Sequence, residues 1–345
     1  MPQNSPVGVI GAGSFGTVVA NLLAENSDVL LYARRPEVVA QINQERQSAG
    51  YALHPRVRAT NDAESTLSEC SVLFPIVASS GFRETMRSLS AFLRPYHIVI
   101  HGTKGLDALP SSASSAPITR KQIKTMSEVI REETVAVRIG CLAGPNLAHE
   151  LGEGQPGATV VASRFDEVIQ TGQRLLRNDL FQVYGSDDLI GIELCGILKN
   201  IIAIASGALS GLSLGENARA LLVSRGLLEM ITIGKALGGN TEAFMGVAGV
   251  GDLVATCSST HSRNYTVGYR LAQGETLGEV VRDMEEVAEG VNTTRIVKQL
   301  ADYHQIPAPI TRMLYRMLFE DLPAQRALQG LMKIPLGEGE DVNVL

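Results

Sequence analysis

The residues best suited to chemistry begin with Gly11, Gly13 and Gly16, which form G-x-G-x-x-G directly after the apolar run at residues 7–10. Glycine at these places lets a backbone approach a pyrophosphate, and the helix that follows offers its first N–H groups to the same anion. The helical spacing of T-V-V-A-N-L-L-A and a second apolar run at residues 29–32 complete a β-α-β unit, the context that makes the glycines a dinucleotide site. At the end of the second run, where an acid would take a ribose 2′-hydroxyl, stand Arg34 and Arg35. They suit a 2′-phosphate; alternatively they are solvated, or stacked on adenine. Lys104, in H-G-T-K-G, and Gly144 with Asn146, in G-P-N, each follow a strand candidate, at the sheet edge where ligands of such folds bind. Lys104 is thus either at the reacting centre or a loop lysine on the surface.

Further along, E-L-C-G-I-L-K-N-I-I-A-I-A places Lys199 and Asn200 in a run of small and apolar residues. Loss of solvent disfavours a lysine's charged form and moves it toward proton transfer, whereas a snorkelling lysine would keep its ammonium in water. Asp252 follows the glycine-rich G-V-A-G-V-G, and S-R-N supplies Ser262, Arg263 and Asn264. The guanidinium fork of Arg263 suits a phosphate; the same Asp, Arg and Asn could instead form a structural ion-pair network. E-E-V-A-E-G-V-N, residues 285–292, reads as an acidic helix start on a solvated surface.

These residues need positioning elements. Further strand candidates at residues 72–77, 97–101, 135–142 and 158–162 alternate with helical or loop stretches, the pattern of a doubly wound parallel sheet. From residue 190 the periodicity is helical throughout. The expected fold is α/β: a Rossmann-like dinucleotide-binding domain over 1–188, an all-helical substrate and catalytic domain over 189–335, and a mobile tail at 336–345. The Ser- and Pro-rich stretch 107–117 is also expected to be mobile.

Composition bounds the function. The chain has 345 residues, enough for two domains, with 45% hydrophobic and 19% charged residues, the balance of a folded globular protein. The net charge of −6 leaves no global positive field for nucleic acid or an anionic membrane. Cys70, Cys141, Cys195 and Cys257 stand far apart without a C-x-x-C pair, so neither a zinc site nor a redox motif is read and reduced, packed thiols are expected. The glycine turn begins within a few residues of the start, with no leader pattern, and no uninterrupted apolar stretch reaches spanning length; the expected location is cytoplasmic.

Taken together, G-A-G-S-F-G, H-G-T-K-G-L, L-A-G-P-N-L-A-H-E-L, E-L-C-G-I-L-K-N-I-I-A-I-A-S-G, G-V-G-D-L-V-A-T-C with S-R-N, and E-E-V-A-E-G-V resemble, in order from about residue 7 to residue 320, the NAD(P)-dependent glycerol-3-phosphate dehydrogenases. The resemblance implies reversible reduction of dihydroxyacetone phosphate to sn-glycerol 3-phosphate for bacterial phospholipid synthesis, without a metal. It implies cofactor contacts at Ser14, Phe15, Arg34, Arg35, Lys104, Ala148, Arg263, Val287 and Glu289. Substrate contacts are implied at Lys104, Gly144, Asn146, Asp252, Ser262, Arg263 and Asn264. Lys199 takes the position of the proton donor and acceptor, Lys104 stabilises the developing charge, and Asp252 balances the two cations. The paired arginines favour NADPH over NADH. Three features depart from the family pattern: V-A-S-S, with Ala78, in place of Val-Pro-Ser; Asn146 in place of Ser or Thr; and a longer stretch between Lys104 and Gly144. A hydroxyacid- or opine-type dehydrogenase and a non-catalytic NADP(H)-binding redox sensor are the alternative readings. The oligomeric state is open, a homodimer being allowed.

Overall fold

A computed structural model describes residues 5–108, 119–284 and 288–333. The tail 336–345, most of the Ser- and Pro-rich stretch and Val287 lie outside the described residues. The chain divides into two compact units, Met1–Asp107 with Thr125–Leu189, and Ala108–Lys124 with Ile190–Leu345.

The first unit is built on strands β1 (Val7–Ile10), β2 (Val29–Tyr32), β3 (Val57–Thr60), β4 (Val72–Pro75), β5 (Ile98–His101), β6 (Arg138–Ala143), β7 (Gly157–Ser163) and β8 (Phe181–Ser186). They form one sheet in the order β8-β7-β6-β5-β4-β1-β2-β3. Helices α1 (Ser14–Ala24), α2 (Pro36–Glu45), α3 (Ala63–Glu69), α4 (Ser79–Leu89), α5 (Met126–Glu133), α6 (Ala148–Gly152) and α7 (Asp166–Leu176) belong to the same unit. Both faces of the sheet are covered. Val18, Val19 and Leu23 of α1 and Val168 and Leu176 of α7 pack with Val9 and Ile100. Phe82 and Met86 of α4 and Val129 and Ile130 of α5 pack with Ile10 and Val99. A strand buried on both faces has no polar side to show, which is why these strands read as unbroken apolar runs.

The doubly wound parallel sheet carries one reversal: β7 runs antiparallel to β6, and β8 then runs parallel to β7. The link between β6 and β7 contains only the five-residue α6, about 7.5 Å of helix, against a six-residue strand of about 20 Å. No helix of strand length carries the chain back along the sheet, and the next strand returns in the opposite sense.

From residue 189 onward the second unit is built of helices α8 (Leu189–Gly211), α9 (Glu216–Ala236), α10 (Thr241–Met245), α11 (Asp252–Ser258), α12 (Arg263–Ala272), α13 (Leu277–Asp283), α14 (Glu289–Tyr303), α15 (Pro309–Phe319) and α16 (Ala324–Lys333). By length and composition α8 could cross a membrane, but 89% of its apolar window is buried inside the protein. No uninterrupted apolar stretch of that length was expected, because Glu193, Lys199 and Asn200 interrupt the run.

Helices α8 and α12, which carry Lys199 and Arg263, meet through glycines. A Cβ on Gly207 would stand 1.9 Å from the Tyr265 carbonyl oxygen, and one on Gly268 would stand 1.8 Å from that of Ile204. No side chain fits at either place, so the spacing of the two helices depends on the absence of a methyl group. Gly268→Ala is therefore expected to lower stability by about 1–3 kcal/mol through overpacking, as read by urea denaturation. A change below about 0.5 kcal/mol would show that the helices can separate at little cost.

Candidate active site

In the first unit the functional side chains stand on turns after strands. Gly11 leaves β1 with φ +117°, and a Cβ there would lie 2.2 Å from the Ile76 carbonyl oxygen. A Cβ on Gly16 would lie 2.0 Å from the Gly11 carbonyl oxygen. These two glycines let the turn close on itself. Gly13 differs: its Cβ would meet no protein atom within 4 Å. Gly13 is also the N-cap of α1 and makes no side-chain capping bond there. An open approach beside a helix start is what a dinucleotide pyrophosphate requires.

Arg34 and Arg35 are exposed at the end of β2, where Arg35 is the N-cap of α2, 4.0 Å from Glu37. An exposed pair at that distance holds neither arginine firmly. Phe15 packs against the close approach at Gly102, whose Cβ would lie 3.1 Å from its ring. Thr103 Oγ1 donates to the Val77 carbonyl at 2.7 Å and lies 3.2 Å from the Val77 N–H. The next residue, Lys104, donates from Nζ to the Gly144 carbonyl at 3.2 Å. Ala78, where a proline is usual in the family pattern, has φ −59° and ψ 144°, the backbone that a proline would impose. The departure at Ala78 therefore leaves the local path unchanged.

Asn146 is oriented by its neighbour. Thr159 Oγ1 donates its single proton to the Ala143 carbonyl at 3.2 Å, so it can only accept from Asn146 Nδ2, at 2.9 Å. Asn146 Oδ1 is consequently left at the other end of the amide, buried and with no protein partner. The open space at Gly13 and this unmatched acceptor fit a bound nicotinamide dinucleotide. Ala148 opens α6, partly buried against the core.

In the second unit Lys199 is buried, and its Nζ donates to Asp252 Oδ1 at 2.5 Å and to Thr256 Oγ1 at 2.6 Å. Asp252 is 1% exposed. The snorkelling alternative is thereby excluded. A π-helical turn, Val247–Gly251, leads directly into Asp252, and a Cβ on Gly249 would lie 2.0 Å from the Phe244 carbonyl oxygen. This close-packed turn delivers the carboxylate to the lysine. Burial costs an ammonium its hydration, and an adjacent carboxylate opposes that effect. Asp252 thus balances Lys199. Burial pushes the neighbouring Cys257 thiol up to about 12, so it stays protonated. All four cysteines are buried thiols outside any disulfide.

Asn264 is engaged at both ends, donating from Nδ2 to Asn200 Oδ1 at 3.0 Å and accepting at Oδ1 from the Gly290 N–H at 2.9 Å. One Nδ2 proton is left for a ligand, so Asn264 is first a tie between α8, α12 and α14. Ser262 is the N-cap of α12, Arg263 is exposed on its first turn, and Glu289 begins α14. Thr256 was not singled out from the sequence, although its place four residues after Asp252 on one helix puts both on the same face.

These contacts separate two kinds of glycine. Gly13→Ala is expected to retain the wild-type melting temperature within about 2 °C while weakening NADPH binding about tenfold or more. Gly11→Ala, strained at positive φ and against Ile76, is expected to lower the melting temperature itself. Fluorescence titration and thermal denaturation on the same preparations check both, and undiminished NADPH binding by Gly13→Ala would contradict the assignment.

Comparison with known proteins agrees with this geometry. The chain matches the NAD-dependent glycerol-3-phosphate dehydrogenase N-terminus over residues 6–169 and the NAD-dependent glycerol-3-phosphate dehydrogenase C-terminus over residues 188–329. It is 40% identical over 338 residues to a glycerol-3-phosphate dehydrogenase [NAD(P)+] of Pseudomonas aeruginosa, covering 96% of each chain. It is 38% identical over 333 residues to the protein of that name from Staphylococcus saprophyticus, covering 95% of this chain and 98% of the other. A crystal structure of glycerol-3-phosphate dehydrogenase from Coxiella burnetii superposes with a TM-score of 0.87 at 33% identity, over 96% of this chain and all of that one. The chain belongs to the NAD-dependent glycerol-3-phosphate dehydrogenase family.

Proposed function

We infer that the chain catalyses reversible reduction of dihydroxyacetone phosphate to sn-glycerol 3-phosphate with NAD(P)H, a step toward glycerophospholipids. The observation that carries the chemistry is the buried Lys199, held by Asp252 and Thr256. When bound, the reduced nicotinamide supplies hydride to the substrate's C2 carbon. Lys199, as an ammonium, gives its proton to the carbonyl oxygen as negative charge develops there. Asp252 and Thr256 accept from two of its N–H groups and so orient the ammonium. Reversal needs the same group as base.

Lys104 adds positive charge to the substrate, and Gly144 and Asn146 bound it. The exposed guanidinium of Arg263, with Ser262 and the remaining Nδ2 proton of Asn264, holds the phosphate; binding energy from that remote group aligns the ketone. Ser14, Phe15, Gly13, Ala148 and Glu289 belong to the cofactor site, as does Val287. The unconstrained pair Arg34 and Arg35 meets a 2′-phosphate, which favours NADPH over NADH. The expected location is the cytoplasm, and sedimentation equilibrium decides between a monomer and a homodimer.

NADPH oxidation by the wild-type protein tests this function. Dihydroxyacetone phosphate is expected to be turned over, with NADPH favoured over NADH in kcat/KM, and unphosphorylated dihydroxyacetone to be a far poorer substrate. Turnover of 2-oxo acids without dihydroxyacetone phosphate would instead favour the hydroxyacid or opine type, and cofactor binding without turnover of either would favour the sensor. Lys199→Met keeps the length of the stem and removes the charge. Its kcat is expected to fall roughly 10²–10⁴-fold with NADPH affinity nearly unchanged. A variant retaining more than about a tenth of wild-type kcat would place proton transfer on another group.

A further inference from the structure

The guanidinium of Arg83 on α4 meets three carboxylates, in a place that the reduction itself does not use. Its Nε donates to Asp107 Oδ2 at 2.9 Å, its Nη2 to Glu132 Oε2 at 2.8 Å, and its Nη1 to Glu133 Oε1 at 2.5 Å. Its side chain is 17% exposed and that of Asp107 is 21% exposed. Burial opposes the guanidinium charge, but the hydrogen bonds to the three carboxylates outweigh it and raise the pKa above its ordinary value.

Stapling α4 to α5 does not explain this arrangement. Arg87, one turn along α4, already holds Glu133 with two bonds, Nε to Oε2 at 2.9 Å and Nη2 to Oε1 at 3.0 Å. Glu132 lies on α5 as Glu133 does; the contact of Arg83 that leaves this helix pair is the one to Asp107. Asp107 is three residues beyond Lys104 and is the last residue of the first unit before the chain leaves it; the chain returns at Thr125. At the near end, the Gly102 N–H donates to the Pro75 carbonyl at 3.0 Å and Thr103 is bonded to both polar groups of Val77. The segment bearing Lys104 is therefore anchored on both sides, at Thr103 and at Asp107, and Leu106 between them is buried. The bond from Arg83 to Asp107 fixes the far end of this segment to α4.

We propose that Arg83 is a positioning residue for Lys104, fixing through Asp107 the loop that holds this lysine in place. The proposal rests on Lys104 acting on the substrate, as inferred above. A lysine misplaced by about 1 Å loses much of its effect on a reacting group.

The test is a double-mutant cycle read as kcat/KM for dihydroxyacetone phosphate, with melting temperature measured on every preparation. Arg83→Met is expected to lower kcat/KM about tenfold in the wild-type background and less than about twofold in the Lys104→Met background. Arg87→Met, which removes the two Arg87 bonds to Glu133 but not the bond from Arg83 to Asp107, is expected to keep wild-type kcat/KM. Arg83→Lys should restore part of the loss. Where Arg83→Met fails to fold, Asp107→Asn reads the same contact while the pairs to Glu132 and Glu133 remain, with the same tenfold loss expected. Equal losses from Arg83→Met in both backgrounds, or a lowered melting temperature with unchanged kcat/KM, would overturn the proposal. Wild-type kcat/KM in Lys104→Met alone would overturn the role of Lys104, and the positioning role with it, a result distinct from failure of the clamp.

Discussion

An ammonium group buried in an apolar helix bundle is the constraint around which the second unit is organised. Alone, Lys199 would cost several kcal/mol in lost hydration. The carboxylate of Asp252 and the hydroxyl of Thr256 make its burial tolerable, and both must arrive from a separate helix. That requirement accounts for the π-helical turn before Asp252 and for Gly249, whose missing side chain lets the turn pack against Phe244. It also accounts for the glycine contacts between α8 and α12, because a lysine held this tightly allows the backbone around it little freedom. The Asn200–Asn264–Gly290 bonds extend the same rigidity to the helix that begins at Arg263.

The first unit solves a different problem with the same means. Its ligand groups stand on turns at strand ends, where the backbone must come close to a partner or leave room for one. Gly11 and Gly16 belong to the first kind and Gly13 to the second. Lys104 and Asn146 are held by neighbouring main-chain and hydroxyl groups, and that economy leaves one acceptor, Asn146 Oδ1, for a ligand.

Much of this was legible in the sequence because the signals are local. The glycine fingerprint announces its turn, the apolar runs announce strands covered on both faces, and the small-residue run around Lys199 announces a buried helix. The reversal at β7 was not legible, since strand direction follows from the length of α6, a boundary that periodicity does not mark. Thr256 lay one helical turn from a recognised aspartate and was overlooked because a threonine in an apolar helix reads equally well as packing. Arg83 was invisible for a stronger reason: its partners Asp107, Glu132 and Glu133 are brought to it by the fold and by no spacing in the chain. The structure also adds to Asn264, read as a ligand group, a tie between three helices that no spacing announced.

The central claim is that Asp252 keeps Lys199 charged so that it can act as the acid. The most direct measurement is the pH dependence of kcat/KM for dihydroxyacetone phosphate reduction in Asp252→Asn beside the wild type. Removing the carboxylate favours the neutral amine, and reduction needs the ammonium, so the basic limb of the profile is predicted to move to lower pH while the melting temperature shows the protein still folded. A basic limb unmoved in the folded variant would contradict the account.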